Sequence, residues 1–218
     1  MTRRGRTALK VFVWAACLAP LAWLGQRAWV GHLGANPISF MTNTLGDWTF
    51  RILLSSLAVT PLRIVSGWSW PITLRRLLGL FAFFYASLHF GVWLVLDHYF
   101  DWHEMGADIV KRPFITVGMA ALTLLIPLAL TSTSGMIKRM GGVAWRRVHS
   151  LVYLVGVLAA LHYLWLAKKS VTGPYYYITV LVILLGIRLA DWARRRLAAP
   201  APGRAAPGAQ GDAGAGAR

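Results

Sequence analysis

Apolar residues gather in six long blocks, roughly 10 to 30, 47 to 65, 76 to 97, 113 to 131, 147 to 167 and 174 to 193. Each is close to the ~20 residues that a helix needs to cross the hydrocarbon layer of a bilayer. Between them lie residues that suit turns: Gly34-Ala35-Asn36-Pro37, Gly67 to Pro71, the polar run Asp97 to Asp108, Ser132 to Gly142, and Thr172-Gly173-Pro174. None of these connections is long enough to form a domain. The pattern predicts an all-α membrane protein, a bundle of six transmembrane helices over residues 1–197. Residues 198–218 are rich in Ala, Gly and Pro and hold almost nothing large enough to pack, so a disordered tail is expected there. The basic-then-apolar start resembles a signal peptide, but Trp14, Pro20, Trp23 and Arg27 fit a retained first span better than a short apolar region with a small-residue cleavage site. Pro20, Pro61 and Pro127 would kink or end their helices.

Composition agrees with a membrane location. Hydrophobic residues make up 57% and charged residues 14%, against about 45–50% and about 25% in soluble domains. The net charge is +16, which in a soluble chain would point to nucleic acid. Its placement points elsewhere. Arg3, Arg4, Arg6 and Lys10 precede the first block; Arg63, Arg75 and Arg76 lie between the second and third; Lys138, Arg139, Arg146 and Arg147 lie between the fourth and fifth; Arg194, Arg195 and Arg196 follow the sixth. The alternate connections hold only Lys111, Arg112, Lys168 and Lys169 near span ends, with Asp97, Asp101, Glu104 and Asp108. Lys and Arg accumulate on the cytoplasmic side, so both termini are expected there, membrane lipid is the surrounding partner, and no nucleic acid is implied. A single cysteine, Cys17, excludes an internal disulfide and a thioether-bound haem.

Ionisable residues inside spans usually mark function, and three histidines lie at depth: His89, His149 and His162. His32, His98 and His103 fall in outer loops, where a solvated or interfacial imidazole is the expectation, and the run Asp97 to Glu104 has none of the fixed zinc spacings. At about 1.5 Å per residue His89 stands about 20 Å above Arg76 and His162 about 24 Å above Arg146, on two parallel spans. A planar iron macrocycle between those spans could take one imidazole on each face. His149 lies about 19.5 Å below His162 on the same span, far enough for a second cofactor. The thirteen intervening steps leave the two side chains about 140° apart, which requires a tilt, a kink or bundle core on two sides. Each histidine could also serve only as a hydrogen-bonding residue between helices. Aromatic residues suited to a flat macrocycle flank the set, Phe83, Phe84, Tyr85, Phe90 and Trp93 on one span and Tyr153, Tyr163 and Trp165 on the other.

Three stretches then bear comparison with a known family: Arg75-Arg76 through Gly79 and Tyr85 to His89; Lys111-Arg112-Pro113-Phe114-Ile115-Thr116 with Gly118; and Trp145-Arg146-Arg147-Val148-His149 through His162-Tyr163 and Trp165. Over about residues 8 to 195 the chain resembles the MsrQ (YedZ) family, haem-binding membrane subunits of periplasmic methionine sulfoxide reductase systems, within the ferric-reductase-like transmembrane group. The histidine pair thirteen apart is shared across that group, and the Lys111 to Thr116 run narrows the match.

The resemblance implies b-type haem, one or two, and FMN. It implies electron transfer across the bacterial inner membrane to a periplasmic molybdopterin-containing methionine sulfoxide reductase subunit, MsrP, that repairs oxidised protein; this would be a non-catalytic subunit of the reductase system. It implies His89 and His162 at an outer haem and His149 at an inner one. Eukaryotic relatives of the wider group carry two histidines on each helix, whereas here Arg75 stands fourteen before His89. Fourteen steps return to within about 40° of the same face, so Arg75 points toward the inner site. A guanidinium is always protonated and has no free lone pair, so a haem propionate suits Arg75 better than iron. With no Gly-x-Gly-x-x-Gly turn for a nicotinamide domain, electrons must come from a quinol or from a flavin reductase. Asp47 and Arg51, spaced i, i+4, read as an interfacial ion pair at the start of the second span, with a propionate contact for Arg51 as the sharper alternative. Arg188 and Asp191 read as a snorkelling pair. Two rival readings stay open: a self-contained ferric or cupric reductase, and a non-redox transporter or assembly factor.

Overall fold

The computed structural model describes residues 2–166 and 173–198 and is helical throughout those residues apart from short connections. Lys168 and Lys169, and residues 199–218 of the tail expected over 198–218, lie outside the described residues. The helices are α1 (Arg3–Trp29), α2 (Pro37–Ser66), α3 (Arg75–Val92), α4 (Trp102–Lys111), α5 (Pro113–Leu130), α6 (Ser134–His149), α7 (Leu151–Leu166) and α8 (Gly173–Leu197). Six segments are long and apolar enough to cross a membrane: α1, α2, Trp70–Asp97, α5, Ser134–Leu166 and α8. The chain is a multi-pass membrane protein.

Five helices close a ring in which each packs on the next, in the order α2, α3, α5, α7, α8 and back to α2. α1 lies outside this ring against α2. α2 also touches α7 across the middle, and its Leu53 and Leu57 are almost fully enclosed together with Tyr85 and Val155. In lipid the hydrophobic effect gives helices little reason to associate, so close packing over small residues has to supply the attraction. Gly156 shows how: a methyl added there would stand 3.2 Å from Leu57 Cδ1 and 3.4 Å from Leu181 Cδ1, so α2, α7 and α8 meet over its missing side chain. Large apolar residues such as Phe12, Trp14, Leu130, Val182 and Leu189 face outward, as the lipid-facing surface of a bundle should.

Several element boundaries differ from the sequence expectation. α2 begins at Pro37, ten residues before Asp47, because the Asn36 side chain accepts the Ser39 N–H and Pro37 occupies the first turn, where its missing N–H costs nothing. The polar residues that suggested a loop are satisfied inside the helix: Thr42 Oγ1 donates to the Ile38 carbonyl and Asn43 to Ser39 Oγ. Ser132 to Gly142 is not a simple loop either; Thr133 caps a helix that starts at Ser134 and breaks at Gly141, whose φ is 73°. The polar run Asp97 to Asp108 contains most of α4, capped by Asp101 through the Glu104 N–H. A wide π-turn, Trp93–Asp97, ends α3.

The described basic residues Arg3 to Arg6, Arg63, Arg75, Arg76, Lys138, Arg139 and Arg194 to Arg196 fall at one end of the bundle, and Asp97, Asp101, Glu104 and Asp108 at the other. These are called the basic and acidic ends below.

Candidate functional site

His89 near the end of α3 and His162 near the end of α7 meet toward the acidic end of the ring. Their ring centres are 6.1 Å apart and their planes are 84° from parallel. Neither imidazole is free to turn. His89 Nδ1 bonds the Thr42 carbonyl of α2 at 2.9 Å, and His162 Nδ1 bonds the Phe114 carbonyl of α5 at 2.6 Å. A carbonyl only accepts, so each Nδ1 is the protonated nitrogen and each Nε2 carries the lone pair that a metal requires. Metal-ligating histidines characteristically give their other N–H to such a partner.

Spacing agrees with that chemistry. An iron bound at about 2 Å by each of two imidazole nitrogens, with roughly 1 Å more from each nitrogen to its ring centre, places the centres about 6 Å apart. The spacing of the two rings therefore suits an iron held between them. Space beside the rings comes from two glycines. A methyl on Gly46 of α2 would stand 3.2 Å from His89 Nδ1, and one on Gly118 of α5 would stand 2.7 Å from His162 Nδ1. A real Cβ essentially never comes that close, so Gly118 is the one residue type that admits His162 in this position.

His149 occupies a different place, at the basic end of α6. It stacks on Trp145 with ring centres 3.8 Å apart, accepts or donates at Ser132 Oγ over 3.3 Å, and bonds the Trp145 carbonyl through Nδ1 at 3.1 Å. Ser150 between α6 and α7 keeps helical angles, φ −69° and ψ −20°, so His149 and His162 belong to one span, Ser134–Leu166, and face different sides of it. Arg75 begins α3 at the same end, within electrostatic reach of both His149 and Arg188. The four sequence candidates thus form two groups, His89 with His162 and Arg75 with His149, at opposite ends of the bundle.

Three expectations are corrected. His98 is not solvated: it is 6% exposed, its Nε2 lies 3.2 Å from Asp108 Oδ2, and it packs on Trp93 with ring centres 4.5 Å apart. It ties the π-turn to α4, since burying an imidazole requires partners for its ring nitrogens. Arg188 does not pair with Asp191. It turns inward, donating to the Tyr153 hydroxyl and the Leu57 carbonyl, while Asp191 binds Arg194 and Arg195 at 3.0 and 2.8 Å. Arg188 and Asp191, spaced i, i+3, are close enough to pair, but the Arg188 guanidinium is taken by acceptors on α7 and α2 instead. Asp47 and Arg51 contact each other at 3.8 Å, but deep in α2 rather than at its start, and Arg51 Nε donates to the Tyr177 hydroxyl at 2.7 Å.

Sequence reasoning missed Gly46, Thr42 and Phe114. Gly46 had a usable signal, since α2 runs antiparallel to α3 and the same depth arithmetic that paired His89 with His162 places a glycine beside them. The two carbonyls have no side-chain signature.

Comparison with known proteins adds an independent line. Residues 45–160 match the family model described as ferric reductase like transmembrane component. The chain is 50% identical over 193 residues to the protein-methionine-sulfoxide reductase heme-binding subunit MsrQ of Rhodospirillum rubrum, covering 88% of this chain and 93% of that protein. The subunit of the same name from Herminiimonas arsenicoxydans is 50% identical over 84% of this chain and 85% of its own length. That from Azospira oryzae is 44% identical over 94% and 88%.

Proposed function

The chain belongs to the MsrQ family of ferric-reductase-like transmembrane proteins, and from that membership we propose that it is the membrane electron-transfer subunit of a system that reduces methionine sulfoxide in oxidised proteins. In this reading the basic end faces the cytoplasm of a bacterial inner membrane. Electrons enter from a quinol or a flavin reductase and leave at the acidic end to MsrP, a periplasmic molybdopterin-containing subunit. Bound b-type haem would supply one-electron chemistry that no side chain here can perform. FMN enters by the family resemblance alone, with no residue assigned to it.

The chain's own residues do the rest. His89 and His162 would hold iron from two helices, with the Thr42 and Phe114 carbonyls fixing which nitrogen is offered. Two nitrogen ligands of this kind leave no open position on the iron, which suits passing electrons rather than binding a substrate. His149 would serve a second haem at the basic end, and Arg75, a permanent cation beside it, would bind a propionate.

One observation carries this reading: two imidazoles from non-adjacent helices stand 6.1 Å apart with both Nδ1 groups engaged by backbone carbonyls. The test is an absorption spectrum of the purified full-length protein, oxidised and reduced, with iron quantified per chain. A Soret band, with a low-spin reduced component of the outer haem that is lost in His89→Ala and in His162→Ala, is the expected result. A colourless, iron-free protein in native membranes overturns it.

A further inference from the structure

Arg188 of α8 brings a permanent cation into the bundle between α2 and α7. Its Nη2 donates to the Leu57 carbonyl at 2.7 Å, and its Nη1 donates to the Tyr153 hydroxyl. The first bond has a cause in the sequence of α2. Pro61 stands four residues after Leu57 inside that helix, and a proline has no N–H, so the Leu57 carbonyl lacks its helical donor and takes the guanidinium instead. A neutral side-chain amide could make that bond as well. The charge therefore needs a separate explanation, because a cation inside a membrane bundle is costly unless something offsets it. Among the described residues no carboxylate lies within ion-pair distance of Arg188; Asp191, three residues on, holds Arg194 and Arg195 at 3.0 and 2.8 Å. Arg188 Nε is buried with no hydrogen-bond partner, so satisfying the donors of the guanidinium does not account for its position either.

Depth shows what the charge faces. Tyr153 follows His149 by four residues, about 6 Å along one face of the same span. It precedes His162 by nine residues, about 13.5 Å. Along α2, Leu57 lies eleven residues, about 16.5 Å, from Gly46, the glycine against His89. The guanidinium held by Tyr153 and Leu57 therefore sits at a level between His149 and the imidazole pair, and nearer to His149. Oxidised haem iron carries one positive charge more than reduced iron, so a fixed cation nearby disfavours the oxidised form. We propose that the uncompensated charge of Arg188 raises the reduction potential of the haem at His149, easing entry of an electron from the donor at the basic end. This inference rests on the inner haem of the function proposed above. Through an effective dielectric of about 20, a unit charge about 10 Å away shifts a one-electron equilibrium roughly tenfold, which is about 59 mV.

The test is an anaerobic spectroelectrochemical titration of the full-length, haem-loaded protein in lipid nanodiscs, in which the inner haem is the component lost in His149→Ala. Arg188→Gln, which keeps an amide donor for the Leu57 carbonyl, should make that component about tenfold harder to reduce and change the outer haem less. Arg188→Lys, which keeps the charge, should stay close to the parent. Where Arg188→Gln alone assembles poorly, Pro61→Ala combined with it returns a backbone N–H to Leu57, and the same shift is expected, now measured against Pro61→Ala. An inner-haem potential that ignores loss of the charge, a larger shift at the outer haem, or a Lys variant lowered as far as the Gln variant overturns the proposal. Absence of any component that depends on His149 overturns the inner haem and this proposal together, whereas an unmoved potential with both haems bound sinks the role of Arg188 alone.

Discussion

Gly118 shows how narrowly a single residue constrains the site. Its α-carbon lies where any side chain would strike the His162 ring at 2.7 Å, so Gly118→Ala must push the ring from the Phe114 carbonyl or α5 from α7. Loss of a partner that orients a metal ligand typically costs 10- to 100-fold in affinity. Haem per chain, measured after titration with limiting haem, should therefore fall by about tenfold or more in Gly118→Ala; full occupancy with an unshifted spectrum would show that the glycine is incidental. His98 makes the opposite case. It is the most enclosed of the acidic-end polar side chains, yet it holds Asp108 rather than a cofactor. His98→Ala should leave the haem spectrum unchanged and lower unfolding stability by about 2 kcal/mol, through the lost contact to Asp108, which keeps only Arg112, and a cavity beside Trp93; a changed spectrum in this variant would place the site elsewhere. The three deep histidines could be picked out from the sequence because charge-capable residues are rare inside apolar blocks. His98 could not be, since its burial depends on a turn in which Tyr99 and Phe100 take φ of 46° and 64°, a conformation that nothing in their side chains favours.

Among the elements, α2 was the least legible and α3 the most. Apolar blocks mark where lipid touches a helix, and α2 is the central helix, so Thr42, Asn43 and Thr44 sit where tertiary contacts rather than lipid decide, and its first ten residues fall outside the apolar block 47 to 65. α3 has a clean apolar face; it starts at Arg75, one residue before the predicted block 76 to 97, and together with its π-turn reaches Asp97. α1 depends on one buried polar bond for its position against α3: Tyr85, fully enclosed, donates from its hydroxyl to the Cys17 carbonyl at 2.7 Å. Tyr85→Phe should cost about 1 kcal/mol, in the range of hydrogen bonds between membrane helices. Steric trapping or denaturant unfolding in bicelles would read the difference, and a variant as stable as the parent would assign α1 to packing alone.

The molecule as a whole is polarised, with its basic residues at one end and most of its acids at the other, and that asymmetry was readable because it is a matter of counting along the chain. The prediction belongs to this scale. In a Cys17→Ala background, Tyr99→Cys at the acidic end should react with a membrane-impermeant maleimide in intact cells whose outer membrane is permeable, and Arg139→Cys only after the inner membrane is opened. The reverse pattern would invert the bundle and with it the proposed direction of electron flow. What counting could not supply was the closed ring of α2, α3, α5, α7 and α8, because adjacency of helices in a bilayer is written in small residues such as Gly156 and in backbone contacts, and these leave faint marks in composition.

The two imidazoles are each fastened to a strand of chain other than their own: His89 of α3 to α2, and His162 of α7 to α5. The orientation of each ring thus records how a pair of rods lies relative to one another. A push on the α4–α5 junction at the acidic end would be geared, through the Phe114 carbonyl, into rotation of the His162 imidazole about its own bond.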